Sequence, residues 1–175
     1  QKTSFIHKTM IAVDSFVHSS VDLGEVKDFV RVDTDAHDTL LAMLVESAQE
    51  ECFNRTHMVF GSAGFTVTNF NQVAQLALPY LPVTAVTSVT LDGELAIVDE
   101  DYYVQDDLII IATSYTDKVE VDYAAGAALP ADVKHAIMQR VKYGYDYGDD
   151  LPMGKSPRFF DRVTDRYRTA NTYAG

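Results

Sequence analysis

The sequence predicts an α+β protein: helices at both ends of the domain flank a small, mostly antiparallel β region, with an extended N-terminal arm and a C-terminal tail. Three observations predict it. Leu40, Leu41, Leu44, Val45, Ala48 and Cys52 recur at spacings of three and four, the apolar stripe of a long helix. Short alternating or β-branched runs then occupy residues 65–123, with Asp92-Gly93 between Leu91 and Leu95 as a tight-hairpin signal. Helical spacing returns in Val133, Ile137, Met138, Val141 and Tyr145.

Residues 1–20 carry no strong period. Thr9–Val13 has the composition of a strand and His18-Ser19-Ser20 that of a loop, so the segment reads as an arm. Asp22 followed by Glu25 has the spacing of a capping box, and Val26, Phe29 and Val30 give a short helix at 22–31 one apolar face. Asp33-Thr34-Asp35 opens a second helix, 35–55, its carboxylates suited to the positive end of the helix dipole. Glu46, Glu50 and Glu51 fall largely away from its stripe. Burying four side chains of Leu or Val size stabilises by roughly 6–12 kcal/mol as an upper bound, which makes this helix a core element.

Gly61-Ser62-Ala63-Gly64 interrupts the helical pattern. The runs Phe65–Phe70, Gln75–Leu78, Val83–Leu91, Leu95–Val98, Tyr102–Gln105, Leu108–Ala112 and Lys118–Tyr123 follow, five to seven short strands. Pro79 and Pro82 make Tyr80-Leu81 an edge or connector. Pro130 fits the first position of a helix at 130–147, Asp132 its first turn, and Gly148 its stop. Residues 149–175 are rich in Pro, Gly, Arg and aromatics without a clean period, and read as a tail that orders on a partner. The organisation expected is therefore an arm, 1–20, a domain, 21–148, and a docking tail, 149–175.

With 175 residues, 47% of them apolar, the chain is long enough for one domain with a real core. The densest apolar run, Leu108–Ala112, is strand-sized and far short of the roughly 20 residues a membrane helix needs, so no membrane role is expected. The N-terminus lacks a basic stretch followed by an apolar one, the pattern of a secretory signal. A single cysteine, Cys52, excludes an internal disulfide framework and reads as a small buried hydrophobe rather than a nucleophile. The net charge of −12 argues against holding nucleic acid by phosphate neutralisation. Lys155, Arg158, Arg162, Arg166 and Arg168 against Asp161 and Asp165 give the C-terminal end a net +3, leaving −15 on the rest. A basic end on an acidic body suggests docking on something acidic, of which a neighbouring copy is one example.

The chemistry search finds little. Dinucleotide-binding, phosphate-loop, nucleophile-elbow and zinc-protease signatures are all missing from the sequence, and no cofactor is expected. His7, His18, His37, His57 and His135 share no ligand spacing. Asp35-x-His37-Asp38 is the nearest approach to a metal cluster, but an acidic first turn explains its carboxylates. Asp99-Glu100-Asp101 and Asp106-Asp107 read as turn formers, and Tyr143, Tyr145 and Tyr147 as helix-end packing or a subunit contact rather than base-stacking groups. A small α+β enzyme or ligand-binding domain is the remaining alternative outside the structural class.

Four pieces in order carry a resemblance. Leu23-Gly24-Glu25-Val26-Lys27-Asp28-Phe29-Val30-Arg31-Val32-Asp33 is similar to a "leucine, x, x, x, lysine, x, x, hydrophobic, arginine, valine, aspartate" stretch. Ala48–Thr56 resembles a helix end running "alanine … glutamate … x-arginine-threonine". Leu78-Pro79 with Pro82–Val89 resembles a "leucine-proline … proline, x, x, x-valine-x-serine-valine" signature. Val121–Gly126 followed by Leu129–Ile137 resembles "tyrosine, x, alanine-glycine … leucine-proline" before a last helix. The family so resembled is that of the head–tail connector, or adaptor, proteins of long-tailed bacteriophages.

The resemblance covers residues 21–147 and departs at both ends. It implies a structural, non-enzymatic subunit of the virion head–tail interface, assembled in the host cytoplasm. It implies a ring of copies, commonly twelve, that sits under the portal protein, extends the DNA channel and docks tail or head-closure proteins. DNA passes to ejection without sequence-specific binding. A head-closure or tail-terminator protein is the nearer rival, which a dominant β-barrel would favour. Arg158, Phe159, Phe160, Arg162, Arg166, Tyr167 and Arg168 are the expected protein-interaction residues, with Phe and Arg as anchors. On that reading, truncation after Gly154 leaves the body folded and abolishes attachment.

Overall fold

Asp22 opens the first helix as its spacing to Glu25 requires, its carboxylate accepting the Glu25 N–H at 3.1 Å. The helix, α1 (Leu23–Val30), ends where Arg31 turns left-handed at φ 67°. This geometry comes from a computed structural model, which describes residues 9–19, 21–70, 74–112, 117–148 and 156–168. The chain divides into two compact units, one of residues 1–17 and 62–127, the other of residues 18–61 and 128–175. This division differs from the expected arm, domain and tail, because the segments at the two ends belong to different units.

The second unit is helical. After α1 comes a 3-10 turn, Asp35–His37, and then α2 (Asp38–Thr56). The acidic start of α2 has a direct explanation: Asp35 and Asp38 both clasp the Lys27 ammonium, at 2.7 and 2.8 Å. His57, at φ 54°, closes α2 by donating its N–H to Phe53 O. The third helix, α3 (Ala131–Tyr147), has Pro130 at its N-cap, one position earlier than expected, and stops at Gly148, whose φ of 48° suits glycine. A fourth helix, α4 (Arg158–Tyr167), follows Pro157.

One core joins all four helices: Val26 and Val30 from α1, Leu41, Val45, Ala48 and Cys52 from α2, Val133, Ala136, Ile137 and Val141 from α3, and Phe160 and Val163 from α4. Leu44 lies on the flank of the α2 stripe and reaches α3, where a Cβ at Gly144 would come within 2.9 Å of its Cδ2. Leu40, expected in the stripe, sits one residue off it and remains exposed. The larger correction concerns the tail. Ten of its residues form α4, because Phe160, Val163 and Thr164 at helical spacing find an apolar surface within their own unit.

The other unit is built from β1 (Thr9–His18), β2 (Gly61–Asn69), β3 (Gln75–Ala77), β4 (Val83–Leu91), β5 (Glu94–Leu95), β6 (Tyr102–Gln105), β7 (Leu108–Ile111) and β8 (Val119–Ala125). They form a five-stranded sheet, β1-β2-β8-β4-β5, and a three-stranded one, β3-β7-β6. Antiparallel register sets Phe65 opposite Tyr123 and Val67 opposite Val121, so Ala63, Phe65, Val67, Val121, Tyr123 and Ala125 share one buried face. Phe65 stacks between Tyr80 and Tyr123, ring centres 4.6 and 5.4 Å away, and the Tyr123 hydroxyl accepts the Tyr80 N–H at 3.2 Å. On the opposite face the Thr66 hydroxyl lies 2.6 Å from Asp122 and 3.0 Å from Asp14, and Ser88 donates to Asp122 at 2.7 Å. That face is acidic and hydroxylic.

The Asp92-Gly93 hairpin forms as expected, both residues at positive φ (51° and 93°) and Leu91 opposite Glu94. Asp99 and Asp106 also take positive φ, 67° and 55°, which agrees with reading the acidic clusters as turns. Gly61–Gly64 is a correction: it lies inside β2, and the Gly64 N–H donates to the Ser15 hydroxyl of β1 at 3.1 Å. The arm is the second, in part: the strand composition of Thr9–Val13 is realised, and the strand runs on to His18. Thr9 meets Asn69 while Ser15 meets Gly64, so β1 runs antiparallel along β2 as a full edge strand. Residues 1–8, and the tail at 149–155 and 169–175, lie outside the described residues.

Candidate functional site

Helix α4 carries most of the residues that the sequence marks for protein interaction, and it sorts them by face. Phe160 and Val163 are fully buried, and Thr164 turns its hydroxyl back to Phe160 O at 2.9 Å. Arg158, Arg162, Asp165 and Arg166 point outward, and Arg168 is exposed just past the last turn. The spacing of four between Arg158, Arg162 and Arg166 makes them one stripe. Phe160 is thus a correction: it anchors α4 to its own unit and is not available to a partner. Phe159 and Tyr167 are half-buried. Lys155 lies outside the described residues.

An ionic network fixes this helix. Arg140 of α3 donates from Nε to Glu51 of α2 at 2.8 Å, and Glu51 also pairs with Arg55 at 2.9 Å. Arg55 reaches Asp161, to which Ser156 also donates, and its guanidinium lies 5.4 Å over the Phe160 ring. Burial alone would raise the Asp161 carboxyl, but hydrogen bonds from Ser156 and Arg55 outweigh it and hold the group below its ordinary value. At the other end, Asp132 takes Arg166 at 3.0 Å and the Tyr167 hydroxyl at 3.1 Å. Burial and that bond raise the Tyr167 phenol. His135 packs 5.1 Å from Phe159, whose ring lies 5.5 Å below the Arg162 guanidinium.

The outward stripe therefore has graded freedom. Arg166 is tied to Asp132, Arg162 rests on Phe159, and Arg158 has no partner among the described residues. Sequence reading missed both α4 and its network. The signal was there in Phe160, Val163, Thr164 and Tyr167 at three- and four-residue spacing, obscured by the flanking Pro and Gly. Cys52 is buried and its thiol is pushed up to about 11 by that burial, consistent with a packing role. Tyr143 and Tyr147 pair at 4.7 Å and Tyr145 meets His37 edge-on at 5.6 Å, so the tyrosine run includes helix-end packing.

The model of one protein family, described as head completion protein, matches residues 21–149. The chain belongs to the head completion protein family. The match spans the four pieces from Leu23 to Ile137 that carry the connector resemblance, so family membership and that resemblance agree. It gives the chain a structural role of head–tail connector type. Solved structures share the fold of this head completion family member. One, described as the neck of an empty GTA particle computed with C6 symmetry, aligns with a TM-score of 0.74 at 23% identity, covering 95% of this chain and 98% of that one. A second, from the virion of a native gene transfer agent particle, aligns at 0.73 and 21% with the same coverage. A third, the neck of a native GTA particle computed with C12 symmetry, aligns at 0.66 and 19%, again over 95% and 98%. No curated protein matches the chain significantly.

Proposed function

We propose that this chain forms a ring, commonly of twelve copies, at the head–tail interface of a phage-like particle, where it sits under the portal protein and gives tail or head-closure proteins a surface. The observation that carries the reading is the family match over residues 21–149. The near-complete alignment with subunits of necks solved in sixfold and twelvefold symmetry supports it. Among the described residues, two open sheets together with four helices support a connector over a barrel-built closure protein.

Charge supports the division of labour. The β unit's sequence holds eleven acidic residues against three basic ones. Such a surface repels phosphates, so DNA in a channel lined by it slides without sticking. The outward arginines of α4 supply the opposite sign, and they are the surface proposed to dock on the portal. The test uses heads assembled without this chain. They are expected to fail to join tails, and added purified protein to restore joining. Heads that join tails normally without it would contradict the role.

A further inference from the structure

The five-stranded sheet leaves apolar residues uncovered at both of its edges. Along β1, Ile11 is 42% exposed, Val13 56% and Val17 62%, and Met10 is exposed as well. Thr9 meets Asn69, a buried residue of the core face, so Ile11 and Val13, two and four positions on, continue that face beyond the core. At the far edge, β5 has only two residues, and Leu95, Ile97 and Val98 there are 73%, 56% and 51% exposed. Three strands separate the two edges, a span of roughly 19 Å at about 4.8 Å per strand. Neither patch covers the other within one chain.

We infer that copies join head to tail through these edges, β1 of one copy covering the Glu94–Val98 lip of the next. The inference rests on the ring reading and names its seam. Two unlike patches on opposite edges of one sheet are what a heterologous, ring-closing contact needs, whereas a twofold dimer needs one self-complementary patch. Edge strands that must stay unpaired are normally short, charged or broken by proline, yet β1 runs ten residues with Asp14 as its sole carboxylate or lysine–arginine charge. Charge selects the same occupant. The sequence leading into β1 holds Lys2, His7 and Lys8 and no acid, while at the lip the exposed carboxylates of Glu94, Asp99 and Glu100 make no side-chain hydrogen bond or ion pair among the described residues.

The test is cross-linking of the full chain carrying Val13→Cys and Leu95→Cys, assembled with the portal protein of the same genome and treated with a short bis-maleimide. Native Cys52 is 2% exposed and stays out of the reaction. The expected result is a ladder of covalent multimers from the double variant and monomers from either single variant, with Val13→Glu lowering the ring fraction at least tenfold. Rings that form but give no ladder, and that tolerate Val13→Glu, would overturn the seam and leave the ring standing. Failure to form rings on the portal with the unaltered chain would remove both.

Discussion

Phe160→Ala is expected to destabilise the helical unit by about 3–5 kcal/mol, the range for deleting a fully buried phenylalanine. The ring has no exposed surface, lies under the Arg55 guanidinium and sits in the cluster that joins α1, α2, α3 and α4. Its removal leaves a cavity at a four-helix junction, and α4 loses the larger of its two fully buried apolar anchors, keeping Val163. Against a typical domain stability of about 5–15 kcal/mol, this is a large fraction. Truncation after Gly154 removes Phe160, Val163 and Asp161 together and is expected to be worse, the reverse of what the tail reading suggests. Denaturant unfolding followed by far-UV circular dichroism checks both, with Arg158→Ala as a surface control expected within about 0.5 kcal/mol. If the truncated chain unfolds at the same midpoint as the whole one, α4 is not part of the core.

Arg158→Glu combined with Arg162→Glu is expected to lower affinity for the portal protein at least a hundredfold, while unfolding stability changes by no more than about 1 kcal/mol. Both side chains are exposed, and the intramolecular contact at stake is the Arg162–Phe159 stack. A carboxylate at position 158 falls in the first turn of α4, where the helix dipole favours it, so folding is spared. A hundredfold loss is about 2.7 kcal/mol, well within what reversing two interfacial arginines removes. Surface-plasmon or sedimentation binding at two salt concentrations reads it, and affinity of the unaltered chain is expected to fall as salt rises. Unchanged affinity of the double variant would move the docking surface off α4.

How much of this was legible depended on whether local signals sufficed. The Asp22 cap, the α2 stripe, the Asp92-Gly93 hairpin and the Gly148 stop are each set by residues within a few positions, and each formed where expected, the stripe without Leu40. The failures are tertiary. Gly61–Gly64 looks like a breaker until β1 is seen to approach Gly64 closely, with the Ser15 oxygen 3.1 Å from where a Cβ would stand. Residues 158–167 read as a tail that orders on a partner until the apolar surface built by α1, α2 and α3 is in place. Asp35 and Asp38 read as an acidic helix start, which they form, but their shared clasp on Lys27, eight residues before Asp35, becomes visible only in the fold. In the candidate site the arginines were legible as a charge excess, but which aromatic faced inward was not, because that is decided by a helix phase the sequence showed only weakly.

Electron microscopy of the purified chain mixed with the portal protein of the same genome tests the central claim most directly. The account predicts a closed ring stacked coaxially on the portal, with copy number read from its symmetry and α4 at the contact. A chain that stays monomeric and leaves the portal bare would contradict it.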